Sequence, residues 1–225
     1  MVCLMAVSST SRTRLPRAER MEQTVAAAHA LFAERGYAAV TMDGVAAAVG
    51  VTKPLLYNYF GNKEQLYLAC LERAGDGLVA TVVEAVGETS NPTEALSLGL
   101  HAFFGFVDQD RAAWAVLFDE TLPAGGEIAE QVAGYRTRLR DLIAASMLEQ
   151  LPPRSRERAR TEVEALSTAI MGAAEALVRW WLRTGAMPAA DVADLLISTV
   201  EPGLRQRSAP AKSSKPNSPG GDPPR

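Results

Sequence analysis

The sequence predicts an all-α chain: three short N-terminal helices in a helix-turn-helix arrangement, followed by a larger helical domain. Two observations predict it. Residues 41–66, TMDGVAAAVGVTKPLLYNYFGNKEQL, read as two short helices joined by a tight turn, with a third beginning at once. Beyond residue 66 the chain reads as nearly continuous helix broken at Pro, Gly and Asn positions, with no alternating runs bounded by hairpin turns.

The first helix carries Met21, Val25, Ala28, Leu31 and Phe32 as an apolar stripe at helical spacing, which places Phe32 in the core. Gly36 is expected to end this helix, and Tyr37 to fill the gap before the next. His29 reads as a packing or surface histidine, because a histidine without Cys, Asp or Glu at ligand spacing does not make a metal site. The second helix has Val45, Ala46 and Val49 on one face, Thr41 as its N-cap and Asp43 in the first turn, where the helix dipole favours an acid. Gly50 suits the left-handed C′ position. Thr52 is placed to cap the third helix, and Pro54 falls in a first turn whose N–H groups lack helical partners anyway. Asn62 is placed to cap a fourth helix, with Gln65 as the reciprocal member of a capping box.

The third helix divides into two faces. Val51, Leu56 and Phe60 point inward, while Thr52, Lys53, Leu55, Tyr57 and Asn58 stay outside. In a helix-turn-helix the second helix enters the major groove and the first crosses the backbone. Lysine, threonine, tyrosine and asparagine supply donors for phosphate oxygens and base edges. Leu55 is apolar on that face, and either meets a thymine methyl or packs against the neighbouring helix. Lys63 stands among the unpaired N–H groups that open the fourth helix, a setting suited to phosphate.

With those residues in view, residues 17–66 resemble the DNA-binding domain of the TetR family of bacterial transcription regulators. The matching pieces are LFAERGY (31–37), Thr41, VAAAVGV (45–51) and LLYNYFGNKEQL (55–66). The resemblance implies phosphate contacts from Thr41, Tyr57 and Lys63. It also implies base or near-base contacts from Thr52, Lys53, Leu55 and Asn58. Many relatives carry glycine and a small polar residue where this chain has Pro54-Leu55, so its operator sequence is expected to be its own.

Charge follows the same division. The chain of 225 residues has a net charge of −3, which argues against a nonspecific nucleic-acid coat. Residues 1–65 carry seven Lys/Arg against five Asp/Glu, and residues 66–206 carry twelve against twenty. A basic head on an acidic body is oriented on DNA by long-range attraction to phosphate. The two cysteines, Cys3 and Cys70, form no framework, and a reducing cytoplasm suits them. No apolar run approaches the ~18–20 residues needed to span a bilayer. MVCLMAV at the start is too short for a signal segment. The domains expected are a disordered arm (1–16), a DNA-binding domain (17–62), a regulatory and dimerisation domain (63–206) and a disordered Pro/Ser/Gly-rich tail (207–225). Arg12, Arg14, Arg17 and Arg20 give either a DNA-contacting arm or a solvated tail.

In the body, a fourth helix is expected over 63–88, then helices near 92–107, 110–121, 126–150, 155–184 and 189–205. Residues 163–182 are apolar around most of their circumference, with Ala169, Gly172, Ala173 and Ala176 as small residues that permit close helix approach. With Trp180 and Leu196 they form the expected homodimer seam, a four-helix interface isologous about a two-fold; the alternative is that these helices complete a monomeric core. The adjacent Trp180 and Trp181 cannot share one face, so one packs within the subunit and the other at the seam. Phe103, Phe104, Phe106, Trp114, Phe118, Tyr135, Met147 and Met171 would line a pocket for an apolar or aromatic effector, or else form ordinary core. Glu175, Arg179 and His101 are its candidate polar anchors. A carboxylate on so apolar a helix needs a partner, and Arg179 stands one turn on from Glu175.

No catalytic signature, phosphate loop, metal motif or cofactor motif is present in the sequence, so no enzyme, metal or cofactor is expected. The expected function is a homodimeric repressor that binds a double-stranded DNA operator and is released by a small-molecule effector. The resemblance implies that the fourth helix moves on ligand binding and resets the spacing of the two recognition helices, which read major grooves ~34–36 Å apart. The alternative is a helical small-molecule-binding protein whose DNA-binding domain no longer functions.

Overall fold

A computed structural model describes residues 16–208, apart from the side chains of Thr93 and of residues 204–208. Most of the expected N-terminal arm and C-terminal tail, with Arg12, Arg14 and Cys3, lies outside the described residues. Among those described there are nine α-helices: α1 (Arg17–Ala39), α2 (Met42–Val49), α3 (Lys53–Phe60), α4 (Lys63–Gly87), α5 (Pro92–Gln109), α6 (Arg111–Leu117), α7 (Glu127–Glu149), α8 (Pro153–Thr184) and α9 (Ala189–Ser208). No strand occurs among the described residues, so the chain is all-α.

The caps that set α2 follow from local chemistry. Thr41 Oγ1 accepts from the Gly44 N–H at 3.1 Å. Gly50 takes φ 71°, and its N–H closes back on α2. Three local expectations are corrected. Thr52 stands at the N-cap of α3 but makes no side-chain cap hydrogen bond, and Pro54 covers the first turn instead. Asn62 caps α4 by accepting from Gln65 N at 2.9 Å, but Gln65 does not complete a capping box. Its side chain donates to Glu127 Oε2 at 3.0 Å, because an acid on α7 outcompetes a backbone donor already open to water. Gly36 breaks α1 rather than ending it: with φ 75° and ψ 162° it kinks the chain, and the helix resumes to Ala39.

The chain divides into two compact units, one running to Glu84 and taking in Gly105–Leu139, the other made of Ala85–Phe104 and the chain from Arg140 onward. In the first unit, Ala28 and Phe32 of α1 pack with Val45, Leu56, Leu66, Tyr67, Cys70, Leu71 and Leu78, all essentially inaccessible. Phe32, Tyr37 and Tyr67 form an aromatic cluster, with Tyr67 edge-on to both others at 4.8 and 4.9 Å. The Tyr67 hydroxyl donates to the Val116 carbonyl of α6 at 2.6 Å, satisfying a helix-end acceptor that would otherwise be buried unpaired. α6 is shorter than expected: Asp110 caps its start through Ala113 N at 2.8 Å, but Phe118 leaves helical geometry. On α7, Tyr135 lies flat against Gly75 of α4, where any Cβ would overlap its ring.

In the second unit α8 ends at Gly185, with φ 58°. Trp181 is buried and donates Nε1–H to the Met187 carbonyl at 2.8 Å, which ties the turn between α8 and α9. Its ring meets Phe104 edge-on at 6.5 Å. Val163, Ile170, Met171, Ala174 and Val178 of α8 are buried, as are Val192, Ala193 and Leu196 of α9. His101 bridges Ser97 O at 2.9 Å and Asp194 Oδ1 at 3.1 Å, so it is tied within its own unit.

Candidate nucleic-acid interface

The candidate DNA face is built by α2, α3 and the first turn of α4. Buried Val45, Ala46, Leu56 and Phe60 hold the two short helices from behind. Thr41, Thr52, Lys53, Tyr57 and Asn58 are exposed together on the outer side, and Tyr57 keeps 42% of its surface accessible. Leu55 is half-buried, between the two alternatives the sequence left open. Thr41 uses its hydroxyl oxygen as an acceptor in the cap, which leaves its O–H proton to donate to a phosphate.

Two lysines have partners that the sequence did not announce. Lys53 Nζ bonds both oxygens of Asp43 across the turn, at 2.8 and 3.1 Å, and stands 5.9 Å from the Tyr57 ring centroid. The hydrogen bond to Asp43, followed by its charge, raises the Lys53 pKa, so the ammonium is firmly protonated. Lys63 Nζ donates to the Tyr37 carbonyl at 2.9 Å and lies 4.3 Å from the Tyr37 ring centroid. An ammonium has three donors, so this anchor leaves others for phosphate. Arg17 places its guanidinium over the Tyr59 ring at 5.4 Å, putting one of the expected N-terminal arginines against α3. Asp43 carried a sequence signal, an opposite charge just across a tight turn. Tyr37 was placed as a plug but not as the seat of Lys63.

The expected effector residues fall in both units. Phe106, Trp114, Phe118 and Tyr135 belong to the first, Phe103, Met171 and Glu175 to the second. Trp114 and Phe118 stack at 3.9 Å, and Arg136 covers Phe118 at 4.9 Å. The Tyr135 hydroxyl donates to Asp76 Oδ1 at 3.1 Å. Burial raises the Tyr135 pKa, and the contact with Asp76 adds to the rise. Glu175 lies 3.7 Å from Arg179, the one-turn pairing expected of it. Met147, Met171 and Phe103 are buried.

Of the residues assigned to the dimer seam, Ala169 and Ala176 are exposed on α8, and Ala173 and Trp180 are half-buried. Leu196 is a correction: it is only 4% exposed in a single chain and has no surface to give a partner. Its neighbour Leu195, 47% exposed, offers the apolar side chain instead. No group of three or more potential metal ligands occurs among the described residues. Nor is any described helix long and apolar enough to cross a membrane.

Residues 25–70 match the model for bacterial regulatory proteins of the tetR family, and residues 92–201 match a tetracyclin repressor-like C-terminal domain. The chain belongs to the TetR family. The first match covers α2, α3 and the start of α4, so the surface described above is the family's helix-turn-helix. Among TetR-family relatives, the transcriptional activator FasR of Mycolicibacterium smegmatis is 40% identical over 119 residues, 53% of this chain and 54% of FasR. The transcriptional regulator BetI of Agrobacterium fabrum is 31% identical over 137 residues, 60% of this chain and 66% of BetI. The chain thus spans between half and two thirds of the length of these relatives. A TetR-like regulator from Rhodococcus sp. RHA1 superposes with a TM-score of 0.71 at 33% identity, covering 85% of this chain and 99% of that one. These relatives are transcriptional regulators, not enzymes.

Proposed function

We propose that this TetR-family protein is a homodimeric repressor that binds a two-half-site DNA operator and is released from it by a small apolar effector. The observation that carries the reading is the cluster of exposed donors, Thr41, Thr52, Lys53, Tyr57 and Asn58, beside Lys63 on one helix-turn-helix face. Thr41, Tyr57 and Lys63 hold phosphates and set the register. Thr52, Lys53, Leu55 and Asn58 meet base edges, the part of the contact that carries sequence information. A base edge competes with Asp43 for Lys53, so that pair opens on binding and the lysine turns into the groove. Pairing through Ala169, Ala173, Ala176, Trp180 and Leu195 sets two such faces about one helical turn apart (~34–36 Å). A small-molecule effector acts through its differential affinity for the two states, which shifts the population away from the DNA-competent one.

The test is Tyr57→Ala combined with Lys63→Ala. Operator affinity is expected to be lost while the dimer persists in sedimentation, and retained affinity would reject this DNA face. An activator is the second reading, favoured by the name of FasR, the relative at 40% identity. Transcript levels of the neighbouring gene in a deletion strain separate the two, rising for a repressor and falling for an activator.

A further inference from the structure

We propose that Asp119, seconded by Thr121, is a positioning residue for the phosphate contact of Lys63 and acts through the backbone of Tyr37. The inference rests on the reading of Lys63 as a phosphate ligand. Its origin is the break in α1. With Gly36 at φ 75° and ψ 162°, the next two N–H groups leave the helical ladder. The half-buried Tyr37 N–H needs another acceptor, and the exposed Ala38 N–H is free to take one. The loop after α6 provides them: Asp119 Oδ2 accepts from Tyr37 N, and Thr121 Oγ1 accepts from Ala38 N at 3.3 Å. The second carboxylate oxygen accepts from Thr121 N at 2.7 Å, so Asp119 fixes the loop and the kink together.

The other side of the same residue holds the lysine. The Tyr37 carbonyl accepts from Lys63 Nζ at 2.9 Å, and its ring forms the platform under the ammonium at 4.3 Å. Tyr37 is therefore gripped at its N–H by Asp119 and grips Lys63 with its carbonyl and its ring. The loop is anchored in turn, because Tyr67 holds the Val116 carbonyl at 2.6 Å, three residues before Asp119. A side chain at Gly36 would be strained at φ 75°, and its Cβ would crowd Thr121 Oγ1 at 3.1 Å. Without Asp119 the Tyr37 N–H lacks its acceptor and Thr121 its anchor, so the Tyr37–Ala38 peptide, which carries the Lys63-binding carbonyl and is held at its N–H by Thr121, can rotate and Lys63 loses a preset position beside the DNA. Phe118, which precedes Asp119, stacks between Trp114 and Arg136.

The experiment uses the full chain and a duplex that it retains from the promoter beside its own gene, titrated across a salt series. Wild type is compared with Lys63→Ala, Asp119→Ala, Asp119→Asn and the Asp119→Ala/Lys63→Ala double variant. Lys63→Ala is expected to weaken binding about tenfold, and to lower the slope of log K against log salt by about 0.9 per subunit. Asp119→Ala should lose the same slope, and the double variant should be no weaker than Lys63→Ala. Asp119→Asn, whose single amide oxygen can accept from Tyr37 N or Thr121 N but not from both, should keep only part of it. A wild-type slope in Asp119→Ala, or additive losses in the double variant, would overturn the proposal and leave the Lys63 reading standing. An unchanged slope in Lys63→Ala would sink both. Should Asp119→Ala prove unfolded by circular dichroism, Thr121→Val takes its place: a partial slope loss supports the proposal and a wild-type slope rejects it.

Discussion

His29 lies in the interior of the first unit, 8% exposed, and its Nε2 meets no hydrogen-bond partner. Burial lowers its pKa below the ordinary 6.5; Asp110 at the head of α6 opposes that shift, and Arg73 of α4 adds to it. The folded protein thus holds a neutral imidazole that the unfolded chain protonates more readily. The unfolded state binds more protons as pH falls below about 6.5, so stability is fully present above that pH and declines toward the lowered folded value. Wild type should lose more stability between pH 7.5 and 5.5 than His29→Gln does, measured by urea unfolding. Parallel curves for the two proteins would contradict this. At this scale the sequence disclosed what depends on near neighbours: the Thr41 cap, the left-handed Gly50 and the Asn62 cap. It did not disclose Asp119 beneath Tyr37, because 82 residues separate them and no local pattern records that meeting. The Lys53–Asp43 pair falls between these cases: it is close in sequence, but visible only once the turn brings the two helices together.

At the scale of the element, helix existence was legible and helix ends were less so. Proline and glycine punctuation placed α5, α7, α8 and α9 within a few residues of their observed bounds. α6 stops at Leu117 rather than near residue 121, because the Asp119 carboxylate binds Thr121 N and the Tyr37 backbone instead of joining a helical turn. α1 runs past Gly36 because its kink is held by that same distant loop. The packing of α4 on α7 yields a prediction of its own. Tyr135 lies against bare backbone at Gly75, and an added methyl would overlap the ring. Gly75→Ala gains helix propensity of about 1 kcal/mol, but overpacks a buried contact at a cost of roughly 1–3 kcal/mol. Net destabilisation is expected in denaturant unfolding. A more stable variant would show that α7 is free to retreat.

For the whole molecule, the composition of the body said more than any single residue. An acidic, largely apolar helical region behind a mildly basic head is what a two-headed regulator requires, since a single head of such modest charge has little grip on phosphate. The small-residue face of α8 is exposed in one chain at Ala169 and Ala176, which leaves it open to a second copy. Ala176→Glu should therefore give a folded monomer in sedimentation, with operator affinity reduced far more than the loss of any one phosphate contact would explain. A dimer that survives this change would move the seam elsewhere. The Pro54-Leu55 tip of α3, with Pro54 exposed and Leu55 half-buried beside the donors, is the proposed seat of this chain's operator choice. The face formed by α2, α3 and the start of α4 is proposed to read a specific DNA sequence. The most direct measurement is titration of the protein on the DNA upstream of its own gene, against random duplex of equal length, at about 50 and 200 mM salt. Specific reading requires clear preference for the upstream fragment and a steep salt slope. Equal affinity for both duplexes would contradict it.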